Sequence, residues 1–338
     1  MKDCYTNENN LPLHRDKPDG NVADCASEQP DRGAPEEPRR SSAPAPHVLA
    51  AWERKIHELG KPRPIYTPAS VNSTHALHYD FSAWLSDDRS FPPCTRDAIR
   101  QTAPLWLTDG LTLTEHRVWG DKVQILFTAQ PDIAPVVFAS RIKGRLQHAL
   151  RQMGSPVKFS RKVAFRCLGD NISDAVTGYL KKQVRKEGFA DPRFAKQMAE
   201  FTVVRDDVDL SEPAATVRGR YWYNLHIVLV VGGRMQFVRN EPLAKLRDGC
   251  LRISKKKGYR LKSVAVMLEH VHISLGGIPD QSPEDIALVF MNNLAWLMGR
   301  NRIWQDGYYV GTFSEYTLSD LPSQRRKAAG DAERKRPQ

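Results

Sequence analysis

Long apolar runs are missing from this 338-residue chain. A bilayer-spanning helix needs about 20 consecutive apolar residues, and no run here approaches that: the apolar stretch 225–231 is interrupted by His226. Cysteine is also scarce. Cys4, Cys25, Cys94, Cys167 and Cys250 are scattered, with neither metal-ligand spacing nor the density of a disulfide framework, a usage that fits a reducing compartment. The N-terminus is polar and Pro-rich and lacks the basic-then-apolar layout of a secretory signal, so a cytoplasmic protein with no membrane partner is expected. Acidic residues are nearly absent from one stretch: between 141 and 186, 12 Lys and Arg face only Asp170 and Asp174. The formal net charge is +11, and because residues 1–63 are close to neutral the surplus lies in the remainder. A basic block of this kind suits a polyanion, nucleic acid above all, although a solvated basic face has the same composition.

What is present begins with 41% hydrophobic residues, enough for two ordinary domain cores. Residues 1–46 are rich in Pro, Asp, Glu, Ser and Asn and are expected to be disordered. A linker with a short helix (over 48–59) is expected across 47–69, and 322–338 reads as a basic tail. Between the tails the chain repeats itself. At an ungapped offset of 148, Leu77-His78 falls on Leu225-His226, Gly110 on Gly258, Leu113 on Leu261, Val118 on Val266, Val123 on Val271 and Ile125 on Ile273. The same shift superposes Pro131-Asp132 on Pro279-Asp280, Pro135 on Pro283, Ala139 on Ala287 and Leu146 on Leu294. These twelve identities exceed the roughly four or five that average residue frequencies supply by chance. Two related domains, 70–190 and 218–321, are therefore expected, joined by a linker over 191–217.

Each copy reads as a strand (77–85; 225–231), a helix (96–107; 242–256), a strand pair (111–119 with 123–129; 260–267 with 271–275) and a second helix after Pro131 or Pro279. Strands and helices mixed in this way predict an α+β fold with central antiparallel sheets packed by helices.

Two elements carry chemistry. His270-Val271-His272 lies in a predicted strand, where alternate side chains share a face, so both imidazoles can meet one metal. By itself a His-x-His is more often structural, and no further ligand has zinc-site spacing. Residues 172–186 read as a helix ended by Gly188, with Tyr179 and Gln183 one turn apart on one face. An amphipathic helix with a half-buried Tyr has the same pattern, and Gly178 weakens it by up to about 1 kcal/mol relative to Ala.

The run Glu269-His270-Val271-His272-Ile273-Ser274-Leu275, with Pro279-Asp280 and Pro283 following, resembles the HUH motif region of single-tyrosine HUH transposases, the Y1 class related to REP-associated tyrosine transposases. Trp304 with Gly307-Tyr308-Tyr309-Val310-Gly311, and in the first copy residues 159–165 through Gly169, look like the strand that follows in that family. Tyr179-Leu180-Lys181-Lys182-Gln183 resembles its catalytic helix. The resemblance implies that Tyr179 is the nucleophile and that Gln183 joins His270 and His272 as a ligand of Mg²⁺ or Mn²⁺. It further implies single-stranded DNA, hairpin-bearing, as the partner, cut through a 5′-phosphotyrosine intermediate.

The departures are informative. Lys122 and Gln124 stand where the first copy would carry histidines, and no Tyr follows the second copy at the helix position, where Gln324 falls. Relatives of this kind are dimers in which one subunit's tyrosine helix serves the other's HUH. A fused, monomeric pseudo-dimer could thus keep one composite site: Tyr179 and Gln183 from the first half, His270 and His272 from the second. Lys143, Arg145, Lys181 and Lys182 are candidate DNA contacts. The rival readings are a domesticated hairpin-binding protein that does not cut, and a two-histidine phosphoesterase, which would need a His-x-Ser/Thr motif in each half that this sequence lacks.

Overall fold

The computed structural model describes residues 64–87, 89–169, 196, 198–217, 219–299 and 302–314. The tails over 1–46 and 322–338 and the helices expected over 48–59 and 172–186 lie outside the described residues. In chain order the strands and helices are β1 (Asn72–Ala76), β2 (His78–Leu85), α1 (Thr95–Thr108), β3 (Leu111–Trp119), β4 (Lys122–Ala129), α2 (Pro135–Gln152) and β5 (Phe159–Leu168). Three short strands follow, β6 (Thr202–Val204), β7 (Ala214–Thr216) and β8 (Gly219–Trp222). The chain then runs through β9 (Asn224–Val231), α3 (Asn240–Lys257), β10 (Arg260–Val266), β11 (His270–Gly276), α4 (Pro283–Leu297) and β12 (Trp304–Thr312).

The result is a mixed α+β fold with two six-stranded sheets packed by helices. Local sequence accounts for the elements. Alternate residues of β2 (Tyr79, Phe81, Ala83, Leu85) are buried, as are Leu225, Ile227, Leu229 and Val231 of β9, so each strand presents one apolar face to its helices. On α2 the buried residues Phe138, Ile142, Leu146 and Leu150 recur every four positions. A capping box starts α4: Ser282 Oγ accepts from the Asp285 amide at 3.0 Å, and Asp285 Oδ2 accepts from the Ser282 amide at 3.0 Å. Gly110 and Gly258 follow α1 and α3 with φ of 79° and 76°. Only glycine enters that left-handed turn without strain.

The two halves share one topology. Neighbouring strands run β3-β4-β2-β5 in one sheet and β10-β11-β9-β12 in the other. The central hairpins carry the same irregularity, between Leu113 and Glu115 on β3 and between Leu261 and Ser263 on β10. A second irregularity also recurs: past it, Leu85 faces Phe159 in one sheet and Val231 faces Trp304 in the other. The first strand departs from the ungapped repeat. His78 faces Thr128, whereas His226 faces Ser274, whose counterpart on β4 is Leu126. Asp80, which faces Leu126, therefore occupies the place of His226. A two-residue slip leaves every side chain on its original face, so the apolar pattern alone does not reveal it.

The halves also exchange strands. β1, which leads into β2, pairs parallel with β12, Thr74 facing Tyr309. Reciprocally β8, which leads into β9, pairs parallel with β5, Trp222 facing Arg166. Residues expected as linkers take part. The amides of Ile65 and Tyr66 donate to Asn292 Oδ1 at 2.7 and 2.9 Å, and Tyr66 Oη accepts from the Ile303 and Trp304 amides at 2.9 and 2.8 Å. Within 191–217, β6 pairs with β10 and β7 with β8. Short connections are the physical reason: only Leu77 separates β1 from β2 and only Tyr223 separates β8 from β9.

Phe138 anchors the first core, with its ring 5.3 Å from Phe127, 5.1 Å from Phe165 and 5.6 Å from Tyr79. Phe138→Ala is expected to destabilise the fold by about 3–5 kcal/mol, measured as a lowered urea midpoint. An unchanged midpoint would contradict this packing.

Candidate metal centre and its rebuilt counterpart

His270 and His272 lie on β11 two residues apart, with Val271 and Ile273 fully buried beneath the helices. Their imidazoles therefore occupy the opposite face of the sheet. The neighbouring strand β9 adds His226 to that face, since His226 pairs with Ser274 and Val228 with His272. The rings of His270 and His272 are 4.8 Å apart and nearly perpendicular, at 84°. His226 stacks on His272 at 5.3 Å and 11°, and His226 Nε2 lies 3.1 Å from His272 Nδ1. One of these nitrogens donates and the other accepts, so His226 fixes the orientation of His272 and directs its Nε2 elsewhere. Tyr309 of β12 stands 6.1 Å from His226.

Burial pushes all three imidazoles below their ordinary pKa. His226 falls to about 4 through burial. His270 is lowered by burial against the opposing charge of Glu269. His272 is held well down by burial, then by His226 and His270. Neutral imidazole is the metal-binding form, so the donor chemistry of His270 and His272 fits a divalent ion. Among the described residues no group of three or more His, Cys, Asp or Glu is arranged to hold a metal.

The depressed pKa values have a thermodynamic consequence. The unfolded chain takes up these protons near pH 6.5 while the folded chain resists them. Metal-free stability is therefore full above about pH 6.5 and declines as the pH falls below it. Urea midpoints between pH 7.5 and 5 should show this decline, and His226→Gln should flatten it. Equal slopes in both proteins would refute the assignment to His226.

In the first half Lys122, Gln124 and Asp80 occupy the places of His270, His272 and His226. Gln124 Nε2 donates to Asp80 Oδ2 at 2.8 Å, and Arg166 Nη1 lies 3.5 Å from the same oxygen. Burial raises the Asp80 pKa against the lowering effects of Gln124, Arg166 and Lys122. An ammonium, an amide and a carboxylate thus replace the three imidazoles, as expected for a half without the HUH pair.

Tyr179, Gln183, Lys181 and Lys182 lie outside the described residues. Their segment follows Gly169, which closes on the second half so tightly that a Cβ there would come within 2.6 Å of the Thr312 carbonyl oxygen. The preceding Leu168 accepts a hydrogen bond from Thr312 Oγ1 at 2.5 Å. Next to Thr312 on β12 is Gly311, which pairs with His226. The chain thus enters the Tyr179 segment beside the strand that borders the histidines.

The other two candidate DNA contacts are engaged within the chain. Lys143 Nζ donates to the Ser160 carbonyl and lies 5.8 Å from the Phe159 ring. Arg145 makes a two-pronged pair with Asp109, Nη2 meeting Oδ1 at 2.7 Å. Sequence reasoning did not assign a role to His226. The available signal was a histidine at a face-sharing position in an otherwise apolar strand.

Residues 220–322 match the family model described as Transposase IS200 like. This segment is similar to the IS200-like transposases. The matched span begins in β8 and runs past β12, so it takes in β9 to β12 with all three histidines. Among solved structures, one from Deinococcus radiodurans R1 described as a candidate transposase is 19% identical, with 32% of this chain and 89% of that chain covered at a TM-score of 0.25. The regulatory subunit of aspartate kinase from Thermus thermophilus is 9% identical, covering 64% of this chain and 92% of that chain at a TM-score of 0.16. A search of curated proteins finds no match. The match suggests a transposase-type function; no helix among the described residues is long and apolar enough to cross a membrane.

Proposed function

We propose that this transposase-type protein is a duplicated, single-chain pseudo-dimer that nicks and rejoins single-stranded, hairpin-bearing DNA at one composite active site. In this reading Tyr179 and Gln183 come from the first half and His270 and His272 from the second. The observation that carries it is the junction of the halves: β1 and β8 are exchanged, and Gly169, ten residues before Tyr179, packs against Thr312 of β12, the strand that pairs with His226.

His270, His272 and Gln183 would hold Mg²⁺ or Mn²⁺, which when bound supplies Lewis-acid polarisation of a phosphate oxygen. His226 holds the His272 ring in place for that role. The Tyr179 oxygen bonds to the scissile phosphorus as the bond to the 3′ oxygen breaks, giving a 5′-phosphotyrosine and a free 3′-hydroxyl. The bond energy stays in the covalent link, so attack by another 3′-hydroxyl reverses the step and joins strands without ATP. Neutral histidines suit this chemistry because a protonated imidazole would repel the ion.

The test separates the halves. Full-length protein, residues 64–217 alone, residues 198–338 alone and an equimolar mixture are incubated with labelled single-stranded hairpin DNA and Mg²⁺ or Mn²⁺. Full-length protein is expected to form a denaturant-resistant adduct, and neither half alone is expected to do so. An adduct with the second half alone would overturn the composite site. A full-length chain that binds the hairpin and never forms an adduct would favour the non-cleaving binding protein.

A further inference from the structure

The half that lacks the histidine pair has not become featureless at that place. On the same face of its sheet, a cavity of about 610 Å³ is bounded by Trp84, Trp222, Arg166, Arg220, Lys162 and Ser160. Pockets for small organic groups run from roughly 300 to 1,000 Å³, so one nucleotide fits with room for its neighbours' backbone. Indoles and cations are interleaved here. The Arg166 guanidinium lies 4.5 Å from the Trp222 ring, and Lys122 Nζ lies 5.7 Å from Trp84 and 5.2 Å from Trp119. The Trp222 ring is held by its Nε1 donating to the Ser211 carbonyl at 2.7 Å. Asp121 is the anionic side chain on the wall, against the cations Lys162, Arg166 and Arg220.

Three points separate this from incidental packing. Trp84, Trp119 and Trp222 are all partly exposed instead of filling the core. The second half has no such set, because Val230, Met267 and Gly311 stand where the first has Trp84, Trp119 and Arg166. Finally, the wall with Trp222 and Arg220 is supplied by the exchanged strand β8, so the cavity exists only in the paired arrangement. Loss of a metal site by drift would not assemble two indoles and three cations around one cavity.

We propose that this cavity is a seat for one nucleotide of single-stranded DNA, its base stacked on the Trp222 or Trp84 indole and its phosphate met by Arg220 and Lys162. Aromatic faces accept any base, and neighbouring Lys and Arg follow the backbone, which is how non-specific single-strand seats work. The proposal rests on the single-stranded DNA reading above. It assigns this face of the first half a holding role: it grips the strand at a point away from the scissile phosphate, while Tyr179 of the same half serves the other site.

The experiment uses the full chain and a labelled single-stranded oligonucleotide without a hairpin, followed by fluorescence anisotropy. Trp84→Ala with Trp222→Ala should weaken binding about 10- to 100-fold, Trp222→Phe alone should stay close to wild type, and Lys162→Ala with Arg220→Ala should weaken binding and flatten its salt dependence. In a second measurement that requires no variant, the same oligonucleotide carrying 5-iododeoxyuridine is crosslinked to the unaltered protein. The crosslinked peptide should contain Trp84 or Trp222. Wild-type affinity in the Trp and Lys/Arg variants, crosslinks confined elsewhere, or no binding of the oligonucleotide by the wild type would each overturn the seat. Tight, variant-sensitive binding without any Tyr179 adduct would leave the seat standing and remove the nicking reading; a Tyr179 adduct with binding insensitive to the variants would do the reverse.

Discussion

Tyr179→Phe is expected to eliminate the covalent protein–DNA adduct while DNA affinity stays within about twofold, since a single hydroxyl is removed. Deleting a covalent nucleophile commonly lowers turnover by on the order of 10³-fold or more, which in an adduct gel reads as disappearance. His270→Ala and His272→Ala should also abolish the adduct by removing imidazoles from the shared face of β11. Tyr308→Phe and Tyr309→Phe should retain it. Lys122→Ala is expected to retain an adduct as well, because in the first half this ammonium lies between Trp84 and Trp119. An adduct from Tyr179→Phe would remove the nucleophile, and loss with Tyr309→Phe would place it on β12.

The second large effect concerns a residue that would not touch the metal. His226→Ala removes the group 3.1 Å from His272 Nδ1 and leaves the His272 ring free to turn. Orienting partners of metal-bound histidines are worth about 10- to 100-fold in metal affinity, so Mn²⁺ affinity, measured by calorimetry at pH 7.5, should fall by that factor. His226→Gln keeps a hydrogen-bonding side chain and should recover part of it. Equal Mn²⁺ affinity in His226→Ala and wild type would show that the ring needs no such support.

Much of the fold was legible because both periods are strong. Alternation in 78–85 and 224–231 and fourfold spacing in 135–152 correspond to β2, β9 and α2. The hairpins at 111–129 and 260–276 keep the offset of 148 through their shared irregularity. What escaped was non-local. β1 is the polar run Asn-Ser-Thr-His-Ala, and nothing in such a run names a partner strand in the other half. The two-residue slip of β2 against β9 preserves every face and leaves no trace in hydrophobicity. At the site, His270 and His272 advertise themselves by spacing within one strand, whereas His226 joins them only through strand pairing. A count of cations likewise could not say that Arg145 is already committed to Asp109. Tyr179 and Gln183, which lie outside the described residues, are assigned roles by family resemblance alone, because a Tyr and a Gln one turn apart occur in many ordinary helices.

The exchange of strands also sets a timetable for synthesis. β1 is the first of the described strands to leave the ribosome, yet its partner Gly307 lies 235 residues beyond Asn72. At roughly 5–20 residues per second, β1 waits on the order of 10–50 s before β12 exists. Its polar side chains suit that interval, since an apolar strand left open so long would invite pairing with other nascent chains. The first half can close its own antiparallel sheet meanwhile, but its outer edge along β5 stays open until β8 arrives. Maturation is therefore gated by β12, and a ribosome that stalls between residues 222 and 304 would release a chain in which β1 and the edge of β9 are still unpaired.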